Sequence, residues 1–326
     1  MYLFLKRCFL FLFITFLIIY AFVSYHKVER ANYRQTYLHG IIDKHQLLDT
    51  TSSPRIIIVG GSNNAFGIDS EMIENEFNLP VVNLSINGGL GLYYMLGEVV
   101  SETRKGDIVL LSIEYFAKDN RNFLVNKLRS FPELLQYSSH YNIIDKVDLK
   151  ISAAFKNVQA GILEYIYTYL PDRNVPEKPK PPKVPIYYRK AFNSNGDVIS
   201  HLDLEGHLEK SDRQYYPYKY WEQIDDLNKF IRTTRKRGAE VFYLFPTYAK
   251  SFYIQDAESL KLLELDIKTN LNVVVLNELE SFVYPDSLFF DSNFHLTGKG
   301  RHQRTLDLIE ILSNNEDFRL QIAQSN

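Results

Sequence analysis

The stretch RIIIVGGSNNAFGIDS, residues 55–70, decides how the rest of the chain is interpreted. It opens with an apolar run rich in β-branched residues, which predicts a buried strand over 55–60. Gly60 and Gly61 then permit a sharp turn, after which come Ser62, Asn63 and Asn64. A serine placed there lies beyond the carboxyl end of a strand, where α/β proteins bind their ligands. Ser62 is therefore a candidate nucleophile.

A phosphate-binding loop is the other interpretation of a glycine-rich turn after a strand, and its spacing is wrong here. A P-loop needs Lys and then Ser or Thr after its second glycine, whereas Gly67 is followed by Ile68 and Asp69. In the segment GGLGLYYMLG, Tyr94 takes the place of the third glycine of the dinucleotide pattern. No nucleotide or other cofactor is expected.

Apolar runs of strand length alternate with helix-like stretches, which is typical of an α/β protein with a parallel sheet. The pattern predicts strands at 55–60, 80–85, 107–116, 240–246 and 272–277, and helices at 69–77, 90–105, 217–237, 256–270 and 297–313. We expect a flavodoxin-like three-layer α/β/α sandwich with about five parallel strands. The alternation fails over 117–216, which we interpret as an insertion because its prolines at 171–185 exclude regular structure.

The composition limits the classes of function. A chain of 326 residues with 45% hydrophobic residues can bury a full core, and a formal charge of −2 gives no reason to expect a nucleic-acid partner. The single cysteine, Cys8, excludes an intramolecular disulfide and a cysteine nucleophile in the rest of the chain.

The N-terminus carries Lys6 and Arg7 before an uncharged run from Cys8 to Tyr25, which predicts a membrane span. A cleaved signal peptide is the alternative, although the small-residue cleavage pattern is poor. The basic pair favours a single-pass protein with its bulk outside the cytoplasm, in the periplasm or at the outer surface. The predicted organisation is an anchor at 1–25, a polar stalk at 26–54, an α/β domain at 55–314 and a tail at 315–326.

A serine becomes nucleophilic when an imidazole takes its proton and a carboxylate orients that imidazole. The segment FFDSNFHLTGKG, residues 289–300, offers both groups, in His295 and Asp291. Asp286 is a second candidate acid, but it has to fold back across residues 287–290 to reach the same imidazole. With neither acid in place, Ser62 and His295 would work as a dyad.

Three segments, GGSN, NLSINGG and DSNFHLTGKG, resemble in order and spacing the blocks of the SGNH (GDSL-like) hydrolases. More narrowly, the chain is similar to the membrane-anchored branch that includes the D-alanine-transfer protein of lipoteichoic acid and the alginate O-acetylation proteins. The resemblance covers 55–116 and 240–313. It implies the SGNH hydrolase fold, with Ser62 as nucleophile, His295 as general base and Asp291 as its orienting acid.

The chain departs from the family pattern at two positions. The family spaces acid and base as D-x-x-H, whereas three residues separate Asp291 from His295. The oxyanion-stabilising Asn of the family falls at Glu114, which cannot donate a hydrogen bond when ionised. The remaining candidate donors to the oxyanion are the Ser62 amide, the amide of Gly88 or Gly89, and the side chain of Asn63 or Asn87. Further candidate oxyanion or substrate-binding residues are Gly61, Asn64 and Glu114.

The resemblance implies a serine esterase or O-acyltransferase acting on a cell-surface polysaccharide, with an acyl donor and a membrane-bound O-acyltransferase as partners. The alternative is a non-catalytic surface or assembly protein of the same fold. His201, Asp203 and His207 lack a recognised metal spacing, so no metal is expected. The sequon at Asn83 falls at a predicted buried strand end and is attributed to chance, and the tyrosines of 213–221 either pack in the core or stack on sugar rings.

Overall fold

The computed structural model describes residues 1–29, 36–169, 186–209 and 216–325, and of these it describes 19–29, 164–169 and 325 by their backbone only. Its helices are α1 (Tyr2–Glu29), α2 (Gly40–Thr50), α3 (Ser62–Gly67), α4 (Ser70–Phe77), α5 (Leu92–Val99), α6 (Arg121–Leu128), α7 (Ile143–Tyr169), α8 (Ile224–Lys236), α9 (Lys250–Asn270), α10 (Gly298–Asn314) and α11 (Glu316–Ser325). Its strands are β1 (Ile56–Gly60), β2 (Val81–Asn83), β3 (Ile108–Ser112), β4 (Glu240–Tyr243), β5 (Tyr248–Ala249), β6 (Val274–Val275) and β7 (Val283–Tyr284).

The main sheet has five strands in the order β2-β1-β3-β4-β6, and every pair in it is parallel. This is the strand order of a flavodoxin-like doubly wound sheet. All five residues of β1 and of β3 are buried, as expected for strands covered on both faces. The prediction of an α/β protein with five parallel strands is confirmed, and β5 and β7 form a small additional sheet.

Two of the predicted helices are shorter than the pattern indicated, because partly buried polar contacts replace helical ones at their ends. The helix predicted over 90–105 ends at Val99; beyond it, Arg55 donates to the Glu102 carbonyl and Asp107 accepts from the Arg104 amide. The helix predicted over 217–237 begins only at Ile224. Before it, Trp221 is buried and donates its indole N–H to the Ala117 carbonyl.

The N-terminal region differs from the prediction. Among the residues described, no helix is both long enough and apolar enough to cross a membrane. The transmembrane helix predicted over 1–25 is thus not supported by the structure, and it extends into residues 19–25, whose side chains lie outside the described part. The predicted stalk contains α2, which belongs to the folded domain because Ile41 and Leu48 are fully buried.

The insertion returns to the sheet edge after its proline-rich part, 171–185, which lies outside the described residues. The amide of Asn83, the last residue of β2, donates to the Asn195 carbonyl over 2.8 Å. From α2, the buried Lys44 donates to the carbonyls of Asn83, Ser85 and Gly196. This single ammonium therefore joins α2, the end of β2 and the insertion.

The C-terminal segment predicted as a tail forms α11. Phe318 on this helix is fully buried, and its ring lies 5.2 Å from that of Phe77 and 5.6 Å from that of Phe242, measured between centroids. A helix with an apolar anchor of this kind belongs to the domain core.

Candidate active site

Ser62 is the first residue of α3, directly after the carboxyl end of β1. The turn that presents it needs glycine, because a Cβ at Gly60 would lie 2.0 Å from the Ser112 carbonyl oxygen of the neighbouring strand. Asn64 stabilises the same turn, because its side-chain amide donates to the Ser112 carbonyl over 3.0 Å and to the Ser85 hydroxyl over 3.2 Å. The local sequence thus places a partly exposed serine at the sheet edge where ligands bind.

Arg304 of α10 holds this turn from the other side. Its guanidinium is buried and donates to the carbonyl of Asn63 over 2.8 Å and to the side-chain oxygens of Asn63 and Asn64 over 3.1 Å each. Burial lowers the pKa of Arg304 to about 10, against the opposing attraction of Tyr284 and Glu114. Asn63 and Asn64 therefore serve as structural partners of the turn and do not face outward as donors.

His295 and Asp291 come together as the sequence pattern suggested. The Nδ1 atom of His295 lies 2.7 Å from Asp291 Oδ1, and both side chains are largely buried. Since a carboxylate only accepts, Nδ1 carries the proton and Nε2 is left free to take one. Asp286 lies elsewhere and accepts from the Ser251 amide over 3.0 Å.

Tyr187, from the insertion, completes this group. Its hydroxyl donates to Asp291 Oδ2 and lies 3.3 Å from His295 Nδ1. Burial, together with the hydrogen bond and charge of Asp291, raises the pKa of Tyr187, so the hydroxyl keeps its proton. For Asp291, burial acts to raise the pKa, but the hydrogen bond and charge of His295, together with the hydrogen bond from Tyr187, outweigh it and lower the pKa overall. Asp291 is therefore held as a carboxylate.

Phe66 links the imidazole to the serine turn. The ring of His295 stacks on that of Phe66 with 4.1 Å between centroids and 9° between planes. Phe66 comes four residues after Ser62 in α3, so the two side chains lie on one face of the helix a turn apart. The imidazole thus packs on α3 one turn after Ser62, and no hydrogen bond joins Ser62 to His295 among the described residues.

The carboxylate of Glu114 binds backbone amides of the serine turn. Its carboxylate accepts from the Gly61 amide over 3.1 Å and from the Asn63 amide over 3.2 Å. A Cβ at Gly61 would lie 2.1 Å from Glu114 Oε1, and one at Gly88 would lie 3.1 Å from Oε2. A helix N-terminus attracts negative charge. Glu114 therefore supplies an anion at the position where the sequence pattern predicted oxyanion donors.

The second predicted donor segment is partly engaged as well. Asn87 accepts from the Gly89 amide over 2.8 Å, which caps the short 3-10 helix Gly88–Leu90. The Gly89 amide and the Asn87 side-chain oxygen are thus paired with each other.

The other motifs take separate places in the fold. His201 is fully buried, with Nε2 2.9 Å from the Leu296 carbonyl, and burial lowers its pKa to about 4. No group of three or more metal-ligating side chains is present in the described ranges. In the 213–221 segment, of which 213–215 lie outside the described residues, Trp221 is buried while Tyr218 and Tyr220 are each 44% exposed.

Two cavities are lined partly by residues of the segments that follow β2 and β3, and neither lining includes Ser62 or His295. One of about 430 Å³ is a groove with an aromatic wall, lined by Phe116, Lys118, Tyr216, Pro217, Lys219, Tyr220, Trp221, Glu222 and Gln223. Phe116 follows Glu114 by two residues and has a left-handed φ of 50°, which is uncommon for a bulky residue and typical of functional segments. The other cavity, of about 320 Å³, lies beside Leu90 and Tyr93 and does not include Ser62 or His295.

Sequence reasoning missed Tyr187, Phe66 and Arg304. Tyr187 belongs to the insertion, more than a hundred residues from Asp291, and no local pattern marks it. Arg304 did carry a signal, because it shares a helical face with Leu308 and Leu312, which are core positions. A charged residue at a core position indicates a buried polar partner. Comparison with known proteins found no family model that matches the chain and no similar curated protein.

Proposed function

We propose that the chain is a serine esterase or O-acyltransferase that acts on a cell-surface polysaccharide or related glycopolymer and has the SGNH hydrolase fold. The observation that carries this proposal is the imidazole of His295, which Asp291 orients through Nδ1 and which stacks on Phe66, one turn after Ser62 in the helix that begins at Ser62. A serine at a strand-to-helix turn with an oriented imidazole is the arrangement that acyl transfer requires.

In the proposed mechanism, Ser62 Oγ attacks the acyl carbonyl carbon while His295 Nε2 takes the hydroxyl proton. The tetrahedral intermediate collapses, the alcohol leaves with the proton from His295, and the acyl group remains on Ser62 as an ester. Water or a sugar hydroxyl then attacks the ester carbonyl while His295 takes its proton, and the ester bond to Ser62 breaks as His295 returns that proton to Ser62 Oγ. Asp291, which also accepts from Tyr187, holds the neutral imidazole in the tautomer with the proton on Nδ1 and stabilises the imidazolium that forms when Nε2 takes a proton.

Labelling with a fluorophosphonate tests the nucleophile. We expect the probe to modify Ser62 in the intact chain, and to lose its target in Ser62→Ala and most of its rate in His295→Ala. Ser101→Ala is the control, since this serine is exposed and its hydroxyl donates only to the Glu102 carboxylate. Labelling that persists in Ser62→Ala contradicts the assignment.

A non-catalytic protein with this fold is the second candidate, and the position of Glu114 favours it. A carboxylate at the amides of the serine turn repels a developing oxyanion, and two charges about 4 Å apart near a protein surface interact by about 4 kcal/mol. Under the enzyme proposal, Glu114→Gln therefore raises hydrolysis of p-nitrophenyl acetate at least tenfold. If neither the parent nor Glu114→Gln exceeds Ser62→Ala in rate, the non-catalytic function stands.

The aromatic groove beside Phe116 supports a glycan as the polymer. Tyrosine rings and flanking charged groups are suited to sugar rings and hydroxyls. We expect Tyr220→Ala to slow release of acetate from acetylated xylan at least fivefold and to leave p-nitrophenyl acetate hydrolysis unchanged. Tyr218→Ala is the control, because Tyr218 is equally exposed but lies outside the groove and donates to Asp266. Equal effects of the two variants contradict the proposed role of the groove.

We also propose that α1 holds the chain at a membrane, with the bulk of the chain in the periplasm or at the outer surface. The support is the exposure of large apolar side chains along α1: Phe4, Phe9 and Phe11 are 69–72% exposed. Such side chains favour lipid over water.

A further inference from the structure

The long helix α7 of the insertion carries an apolar stripe that the domain does not cover. Its members, the α7 stripe, are Ile143, Ile144, Val147, Ile151, Phe155 and Ile162, which are 48–75% exposed. At about 100° per residue they fall within an arc of about 120°. Leu149 and Ala153 are buried on the opposite side of the helix and face the domain, whereas the buried Gly161 falls at the edge of the arc, between Phe155 and Ile162. The stripe is thus a second apolar face, separate from the one that packs α7 onto the core.

We propose that the α7 stripe lies in the interfacial layer of a lipid bilayer, parallel to its surface. The proposal rests on the membrane attachment proposed for α1 and is independent of the chemistry at Ser62. An amphipathic helix with an exposed aromatic and branched aliphatic face is the kind of element that enters this layer. From Ile143 to Ile162 the stripe is about 29 Å long at 1.5 Å per residue, and it therefore forms an extended contact.

The surroundings of the stripe favour lipid over a protein partner. Helix α7 contacts α1, whose own Phe9, Phe11 and Phe16 are 61–72% exposed, so two contacting helices both carry exposed apolar side chains. The stripe is the convex side of a single helix, and a fluid bilayer adapts to such a surface without a matching groove. Aspartates and lysines nearly balance along residues 143–163, which contain Asp145, Lys146, Asp148, Lys150 and Lys156. Apolar burial, and not charge, therefore drives the contact.

Site-directed spin labelling of the full chain in vesicles tests the proposal. The vesicles contain phosphatidylethanolamine and phosphatidylglycerol, and the label is placed at Ile151→Cys, Phe155→Cys or Gln159→Cys in a Cys8→Ser background. We expect labels at 151 and 155 to be accessible to oxygen and shielded from a water-soluble nickel chelate, with the reverse at Gln159, which lies beyond the stripe. Because charge does not drive the contact, 0.5 M salt leaves the pattern unchanged.

A spin label on the native Cys8 distinguishes this proposal from the membrane attachment through α1. A label on Cys8 in lipid with labels at 151 and 155 in water overturns the α7 proposal and leaves the α1 attachment standing. Labels at all of these positions in water overturn both. Spin–spin broadening at 151 that disappears on dilution with unlabelled chain shows a second copy on the stripe and also overturns the proposal.

Two charges on the stripe give a second measurement. Both parent side chains are exposed, so Ile151→Glu combined with Phe155→Glu leaves the fold intact, which the thermal midpoint checks. We expect this pair to move a label at Val147→Cys from lipid to water. A lipid-exposed label at Val147 in the doubly charged variant contradicts an interfacial position for α7.

Discussion

Asp291 and Asp286 lie five residues apart on the same connection but have different partners. Asp291 contacts His295 and Tyr187, whereas Asp286 accepts the Ser251 amide. Asp291→Asn removes the carboxylate that fixes the imidazole tautomer, so we expect turnover of a chromogenic acetyl ester to fall by roughly two to four orders of magnitude. Asp286→Asn should leave turnover within about threefold. A severe loss in the Asp286 variant alone would reverse the assignment, and mild effects in both would leave Ser62 and His295 as a dyad.

His201 is a residue whose titration affects stability. Its ordinary pKa is 6.5 and burial lowers it to about 4 in the fold. Between these values the unfolded chain binds a proton that the native chain does not, so stability falls as the pH falls from 6.5 to 4. The full difference of about 2.5 units corresponds to about 3 kcal/mol. Chemical denaturation from pH 4 to 7 measures this loss.

The matched variant for that measurement is His201→Gln, which keeps a donor for the Leu296 carbonyl but does not titrate. We expect its free energy of unfolding to lose about 3 kcal/mol less than the parent over the same pH range. An identical acid dependence in parent and variant means that other groups cause the loss. The exposed His302 supplies a further comparison, because His302→Gln should change nothing.

Among the elements, α10 fixes the geometry of α3 through one side chain. Arg304 makes three hydrogen bonds to Asn63 and Asn64, and a lysine in its place cannot reproduce that fork. We expect Arg304→Lys to lower the free energy of unfolding by about 3 kcal/mol, because a buried charge and buried acceptors lose partners. Urea denaturation measures it, with His302→Lys as the exposed control on the same helix. A change below about 1 kcal/mol contradicts the role given to Arg304.

The elements also show what the sequence could predict. The strands of the sheet were predictable because short apolar runs rich in β-branched residues, such as Ile56–Gly60, favour a strand that is buried on both faces. The pair His295 and Asp291 was predictable because both groups lie in one short loop. The contact of the Glu114 carboxylate with the Gly61 amide was not predictable, because it depends on the register of β1 against β3. The contact between Tyr187 and Asp291 was not predictable either, because Tyr187 lies in an insertion whose sequence has no repeating pattern.

At the scale of the whole molecule, the segment before β1 is part of the fold. Tyr37, Leu38, Ile41 and Leu48 are buried in it, and Lys44 joins α2 to the end of β2 and to Gly196. Each buried apolar side chain contributes about 2 kcal/mol, and their total is comparable to the roughly 5–15 kcal/mol that separates folded from unfolded domains. The domain boundary therefore lies before residue 37 and not at residue 55.

Two shortened chains test this boundary. A chain that begins at residue 36 keeps α2 and should unfold in one cooperative thermal transition, followed by circular dichroism. A chain that begins at residue 54 lacks Ile41 and Leu48, so the surface that these side chains pack against becomes exposed. It also leaves the carbonyls of Asn83, Ser85 and Gly196 without the donor that Lys44 supplies. Buried acceptors without donors add to the lost apolar burial, so we expect no cooperative transition. Equal midpoints for the two chains would show that residues 36–53 are a stalk after all.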